Sequence, residues 1–158
     1  MSEKTILKVE GLSKEFDVKK KSLTGEKERL KAVQDVSFTV SEGETLGIVG
    51  ESGCGKSTLG RLIMRLIEPT AGKVFLNGTE LTSLSGRALR TKRKDFQMIF
   101  QDPYAAFNPR MTVQKILEEP LKTYHIPKEN WEKQIGDILR VTGISRDALS
   151  RYPHEFSG

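Results

Sequence analysis

Thr45-Leu46-Gly47-Ile48-Val49-Gly50-Glu51-Ser52-Gly53-Cys54-Gly55-Lys56-Ser57-Thr58 is the stretch whose reading decides the fold. Thr45 to Val49 is a continuous apolar run, the behaviour of a central strand buried on both faces. It leads directly into Gly50, four variable positions, and then Gly55-Lys56-Ser57. Beyond the loop, Thr58, Leu59, Leu62, Ile63 and Leu66 recur at helical spacing until Pro69 and Gly72 stop the pattern. Strand, glycine loop and helix, in that order, build a cradle for phosphate. Glycines let successive backbone N–H groups turn inward, and the N-terminus of the following helix adds partial positive charge. Lys56 then places a compact charge on the β- and γ-phosphates of a nucleoside triphosphate, and the Ser57 hydroxyl supplies one oxygen to Mg²⁺. Cys54 has two readings: a thiol made reactive by Lys56 and the helix terminus, or an inert occupant of a position that accepts many residues. The second is the simpler.

Upstream of this stretch, Ile6, Leu7, Val9 and Leu12 mark a first strand. A polar, lysine-rich segment from Asp17 to Arg29 reads as an exposed loop. Val33, Val36, Phe38 and Val40 mark a second strand, the last three alternating with polar residues as in a half-buried sheet, before a turn at Ser41-Glu42-Gly43-Glu44. Downstream, Lys73-Val74-Phe75-Leu76 enters a tight hairpin at Asn77-Gly78, because both central positions of such a turn take positive φ. A basic segment, Arg87 to Lys94, reads first as a solvated face, with contact to anionic lipid or nucleic acid as the other reading. Phe96 to Phe100 is a further strand candidate ending at Gln101. The last third is helical: Val113, Ile116, Leu117, Leu121 and Tyr124 form one stripe with Pro120 as a kink point, and Trp131, Ile135, Ile138, Leu139 and Thr142 form a second that stops at Gly143.

The chain has 158 residues, of which 36% are hydrophobic, enough for one domain with a buried core. Its single cysteine excludes an internal disulfide and a cysteine-based metal cluster, in keeping with a reducing compartment. No apolar run is long enough to span a bilayer, and Met1-Ser2-Glu3-Lys4 lacks the apolar region of a signal peptide. A cytoplasmic location is therefore expected. The net charge of +5 favours anionic partners without selecting among nucleotide, phospholipid and nucleic acid.

A phosphate loop alone fits GTPases, kinases and helicases equally. Two further segments separate them. Met98-Ile99-Phe100-Gln101-Asp102-Pro103-Tyr104-Ala105-Ala106-Phe107-Asn108-Pro109-Arg110-Met111-Thr112-Val113 resembles the glutamine-loop region of ABC ATPases, and Tyr152-Pro153-His154-Glu155-Phe156-Ser157-Gly158 resembles the lead-in to their signature sequence. The resemblance covers nearly the whole chain from Ile6 and is closest to the ATP-binding subunits of oligopeptide and dipeptide importers, a branch that includes nickel importers.

That resemblance implies an α/β fold: part of a P-loop ABC ATPase core, with an N-terminal antiparallel β part and a small helical subdomain. Residues 1–110 would belong to the core and 111–158 to the helical subdomain, ending inside the signature. ATP would lie against Phe16 through its adenine and against Gly50, Glu51, Ser52, Gly53, Cys54, Gly55, Lys56, Ser57 and Thr58 through its phosphates. Gln101 would contact Mg²⁺ and the attacking water, while Ser157 and Gly158 would face the ATP of an opposite subunit. The acidic strand and the histidine that complete the family's site would follow Gly158, and His125 and His154 do not replace that histidine. Lys56 and Gln101 support a reaction that this stretch alone is expected not to complete. Implied partners are transmembrane permease subunits, a second ATP-binding subunit and, indirectly, an extracytoplasmic substrate-binding protein, with no nucleic acid. The competing readings are a soluble ABC-type ATPase acting on ribosomes or DNA, and a non-functional fragment.

Overall fold

The computed structural model describes residues 4–19, 27–102 and 106–156. The chain divides into two units, Met1–Gln97 and Met98–Gly158.

The first unit is built on a four-stranded antiparallel sheet in the order β2-β1-β3-β4, with β1 at Thr5–Lys19, β2 at Lys27–Ser41, β3 at Ala71–Leu76 and β4 at Thr79–Glu80. The expected hairpin between β3 and β4 is present, with Asn77 at φ 46° and Gly78 at φ 75°. The turn after β2 also forms: Glu44 N–H donates to the Ser41 carbonyl at 3.1 Å. The Glu44 carboxylate accepts from Ser41 N–H at 2.7 Å.

Of the segment read as a loop, the two described ends, residues 17–19 and 27–29, are strand. β1 and β2 pair far into it, with Phe16 opposite Leu30 and Asp17 opposite Arg29. The Arg29 guanidinium lies 3.4 Å from Glu15 and 3.8 Å from Asp17. Opposite charges across a ladder support pairing that the lysines alone argue against, although at this exposure each such pair adds little.

One helix, α1 at Lys56–Ile63, packs on the sheet and contributes Leu59 and Leu62 to a core completed by Val9, Leu12, Val33, Val74 and Leu81. The helix stops before Leu66, earlier than its apolar spacing implies. Arg65 turns into the left-handed region at φ 50°, and its carbonyl accepts from the Arg93 guanidinium at 2.9 Å. The Arg65 side chain is buried, donates to the Leu81 carbonyl at 3.2 Å and pairs with Glu68. The basic segment forms α2, Gly86–Lys92, which buries Leu89 and is followed by a single 3-10 turn.

Two expected strands do not form. Thr45 to Val49 and Phe96 to Phe100 join no ladder of the described residues, and Val49 and Ile99 are each 92% exposed. An apolar run becomes a strand buried on both faces only when neighbours pair with it on either side. No described strand pairs with these two runs, so their composition alone does not make them sheet.

The second unit contains α3, Val113–Thr123, and α4, Trp131–Thr142. Thr112 caps α3, which runs through Pro120 and ends within the next turn. Gly143 closes α4 at φ 70°, and Ile144 N–H returns to the Leu139 carbonyl at 3.0 Å, as a left-handed cap requires. Leu139 is buried, and the Trp131 indole N–H donates to the Ile126 carbonyl at 2.9 Å.

Leu62 is fully buried against the sheet, whereas Leu30 is 58% exposed. Leu62→Ala is expected to lower the unfolding free energy by about 2–5 kcal/mol, read as a fall in urea midpoint. Leu30→Ala is expected to shift it by roughly 1 kcal/mol or less.

Candidate phosphate site

The glycine loop is seated on β2. Pairing steps from Lys14 opposite Val33 to Glu15 opposite Lys31, which leaves Ala32 as an extra residue on β2. Such a bulge re-aims the backbone where it occurs. A Cβ built on Gly55 would lie 2.2 Å from the Ala32 carbonyl oxygen, and Gly55 itself sits at φ 97°. Only glycine meets both conditions. The loop therefore arrives at the helix pressed against the bulge, with Val33 beside it and α1 starting one residue later.

Gly55 is the N-cap of α1 and offers no side-chain cap. Among the described residues, the N–H groups of Lys56, Ser57 and Thr58 have no acceptor, while Leu59 N–H bonds the Gly55 carbonyl at 2.8 Å. Free N–H groups at the positive end of a helix dipole form an anion site. The Lys56 ammonium bends back over the loop and donates to the Gly50 and Glu51 carbonyls, each at 2.6 Å, with Cys54 Sγ at 3.5 Å. These bonds hold one cation at the rim of the free N–H groups. Cys54 is exposed, and a Cβ on Gly50 would strike its Sγ at 2.6 Å. Gly53, at φ 82°, shapes the loop between them, while Glu51 and Ser52 are exposed.

Ser57 is exposed and its hydroxyl makes no hydrogen bond with the described residues. Among those residues no group of three or more His, Cys, Asp or Glu could hold a metal ion. A single hydroxyl suits Mg²⁺, which keeps several waters and binds through one or two protein oxygens and the phosphates of a nucleotide.

Phe16 is not a core residue: it is 38% exposed on β1. Its partner Leu30 lies two positions from Ala32 along β2. Two residues of strand rise, about 7 Å, and one strand spacing, about 5 Å, thus separate the Phe16 backbone from the carbonyl that seats the loop. Gln101 lies in the second unit, exposed at a bend before the undescribed residues 103–105. Ser157 and Gly158 fall outside the described residues.

Two contributors escaped the reading of motifs. The bulge at Ala32 left no trace in the sequence pattern, because the phase break between Val33 and Val36 belongs to a separate register shift around Asp35, at φ 48°. Lys14, whose ammonium stands 5.1 Å from the Phe16 ring centroid, left none. In the second unit, a groove of 390 Å³ lined by Glu118, Trp131 and Arg146 includes no residue of the glycine loop and is not the candidate site. Among the described residues, no helix is long and apolar enough to cross a membrane.

The chain is 46% identical to an oligopeptide transport ATP-binding protein of Haemophilus influenzae, over 97% of this chain and 47% of that protein. It is 43% identical to one of Bacillus subtilis, over 99% of this chain and 48% of that protein. It therefore spans about half the length of these curated relatives. Its fold is similar to the dimeric structure of a bacterial ABC transporter cassette, with a TM-score of 0.76, 25% identity, and coverage of 97% of this chain and 64% of that one. The ABC transporter family matches residues 33–158, a span that begins beside the bulge and takes in the glycine loop and both helices of the second unit, and the chain belongs to that family.

Proposed function

We propose that this chain provides the front half of the ATP site in an energy-coupling subunit of an importer for oligopeptides or dipeptides. The observation that carries the proposal is the uncapped N-terminus of α1, with the Lys56 ammonium held at its rim by the Gly50 and Glu51 carbonyls. The names of the relatives at 43–46% identity supply the transport class.

In this reading the N–H groups of the loop and first helical turn receive the phosphate oxygens, and Lys56 exchanges its loop carbonyls for β- and γ-oxygens. Ser57 would hold Mg²⁺, which would offset the negative charge of the phosphates. Phe16 gives the adenine an apolar platform, and Thr58 extends the helical turn that receives the phosphates. Gln101 is assigned the orientation of the attacking water, and Ser157 and Gly158 the ATP of a second ATP-binding subunit, identical or different. Hydrolysis in the intact protein would drive transport through transmembrane permease subunits, supplied by an extracytoplasmic substrate-binding protein. The subunit would then sit at the cytoplasmic face of the membrane without crossing it.

Removing the Lys56 charge takes away the cation at the phosphates, so Lys56→Ala is expected to weaken Mg-ATP binding at least about tenfold, a loss of roughly 1.4 kcal/mol. Titration calorimetry reads this directly, and unchanged affinity overturns the assignment. Gly55→Ala meets both the Ala32 carbonyl and an unfavourable φ. It is expected to lose Mg-ATP binding together with about 1–3 kcal/mol of stability, seen as a lower thermal midpoint, whereas Glu51→Ala leaves that midpoint within a degree or so.

A further inference from the structure

Lys14 and Phe16 stand two residues apart on β1, where strand alternation puts alternate side chains on one face. The Lys14 ammonium lies 5.1 Å from the centroid of the Phe16 ring, within range of attraction to the ring's π-face. The same ammonium donates to the Glu68 carbonyl at 2.7 Å. It is therefore fixed from both sides: by its own strand, and by the segment that follows α1. Two neighbouring bonds reinforce that tie. Glu15 N–H donates to Thr70 Oγ1 at 3.0 Å, and Thr70 N–H donates to the Ser13 carbonyl at 2.9 Å. Lys14 is half-buried, whereas Phe16 is exposed. An exposed ring on the last part of a strand has few contacts to hold its rotamer, and an anchored cation near it supplies one.

We infer that Lys14 is a positioning residue for the nucleotide base. By holding the Phe16 ring in place through its π-face, it presents a pre-set platform for adenine, and it does so without touching the phosphates. The inference rests on the reading of Phe16 as that platform. It assigns to Lys14 an effect on the base portion of ATP alone, which separates it from Lys56, whose charge acts on the phosphates. Pre-setting a contact surface raises affinity by removing the ordering that binding would otherwise require.

The test compares Mg-ATP with Mg-tripolyphosphate, which carries the phosphates without a base, by calorimetry on the intact subunit. Lys14→Met is expected to weaken Mg-ATP binding about two- to fivefold and to leave tripolyphosphate binding unchanged. Lys14→Arg, which keeps a cation able to stack and to donate, is expected to retain ATP affinity. Phe16→Ala is expected to remove the preference for ATP over tripolyphosphate, and adding Lys14→Met to it is expected to cause no further loss. An equal loss for both ligands in Lys14→Met overturns the inference, because Lys14 would then act on the phosphates or on the fold. Unchanged ATP affinity in Lys14→Met alongside a loss in Phe16→Ala overturns it too, while sparing the Phe16 reading. An unaltered ligand preference in Phe16→Ala removes that reading and the inference with it. Should Lys14→Met fail to fold, Lys14→Gln carries the same comparison.

Discussion

The carbonyl of Ala32 and the missing side chain of Gly55 meet at a distance that would place a Cβ 2.2 Å from the oxygen. That closeness lets the glycine loop lie against β2, and it depends on the bulge that turns Ala32 out of the ladder. The placement of the proposed phosphate cradle follows from it. The loop is seated, α1 begins in a fixed place with its N–H groups exposed, and Leu59 and Leu62 of the same helix enter the core. The cradle for an anion and the apolar packing of the first unit are thus two ends of one eight-residue helix.

The charge arrangement follows the same logic. The first turn of a helix concentrates free N–H groups and partial positive charge, which favour an anion over water. Lys56 adds a full charge there, and two carbonyl oxygens hold it at the rim until a stronger acceptor replaces them. A phosphate is such an acceptor, because hydrogen bonds between ionised groups are shorter and stronger than those to neutral carbonyls. On the sheet side, Phe16 and Lys14 form a second, apolar-faced pair near the loop. In the proposed reading, phosphate and base would be recognised by different elements, the helix terminus and the first strand.

Much of this was legible from residue order. The phosphate loop is contiguous, so its chemistry needs no long-range information, and Asn77-Gly78 and Gly143 announce their positive φ through residue type. Features that depend on partners were harder to read. The ladder runs past Phe16 and Leu30 into a charged segment where Arg29 faces Asp17 and also reaches Glu15, a pairing that single residues do not reveal. Thr45 to Val49 and Phe96 to Phe100 carry the composition of buried strands, yet burial on both faces belongs to a strand's neighbours rather than to the strand. Of the candidate site, the loop from Gly50 to Thr58 stood out as a motif, whereas the seat at Ala32 did not, because a bulge is defined by the register of two strands and not by one of them. Lys14 resembled any other surface lysine.

The central claim is that the N-terminus of α1 and its glycine loop receive the phosphates of ATP. Amide ¹H–¹⁵N chemical shifts recorded during titration with Mg-ATP test it most directly, because they report on the N–H groups themselves. The account requires the largest shifts at Gly53, Gly55, Lys56, Ser57 and Thr58, with a smaller change near Phe16. Saturating shifts elsewhere, with these loop amides unmoved, would contradict it.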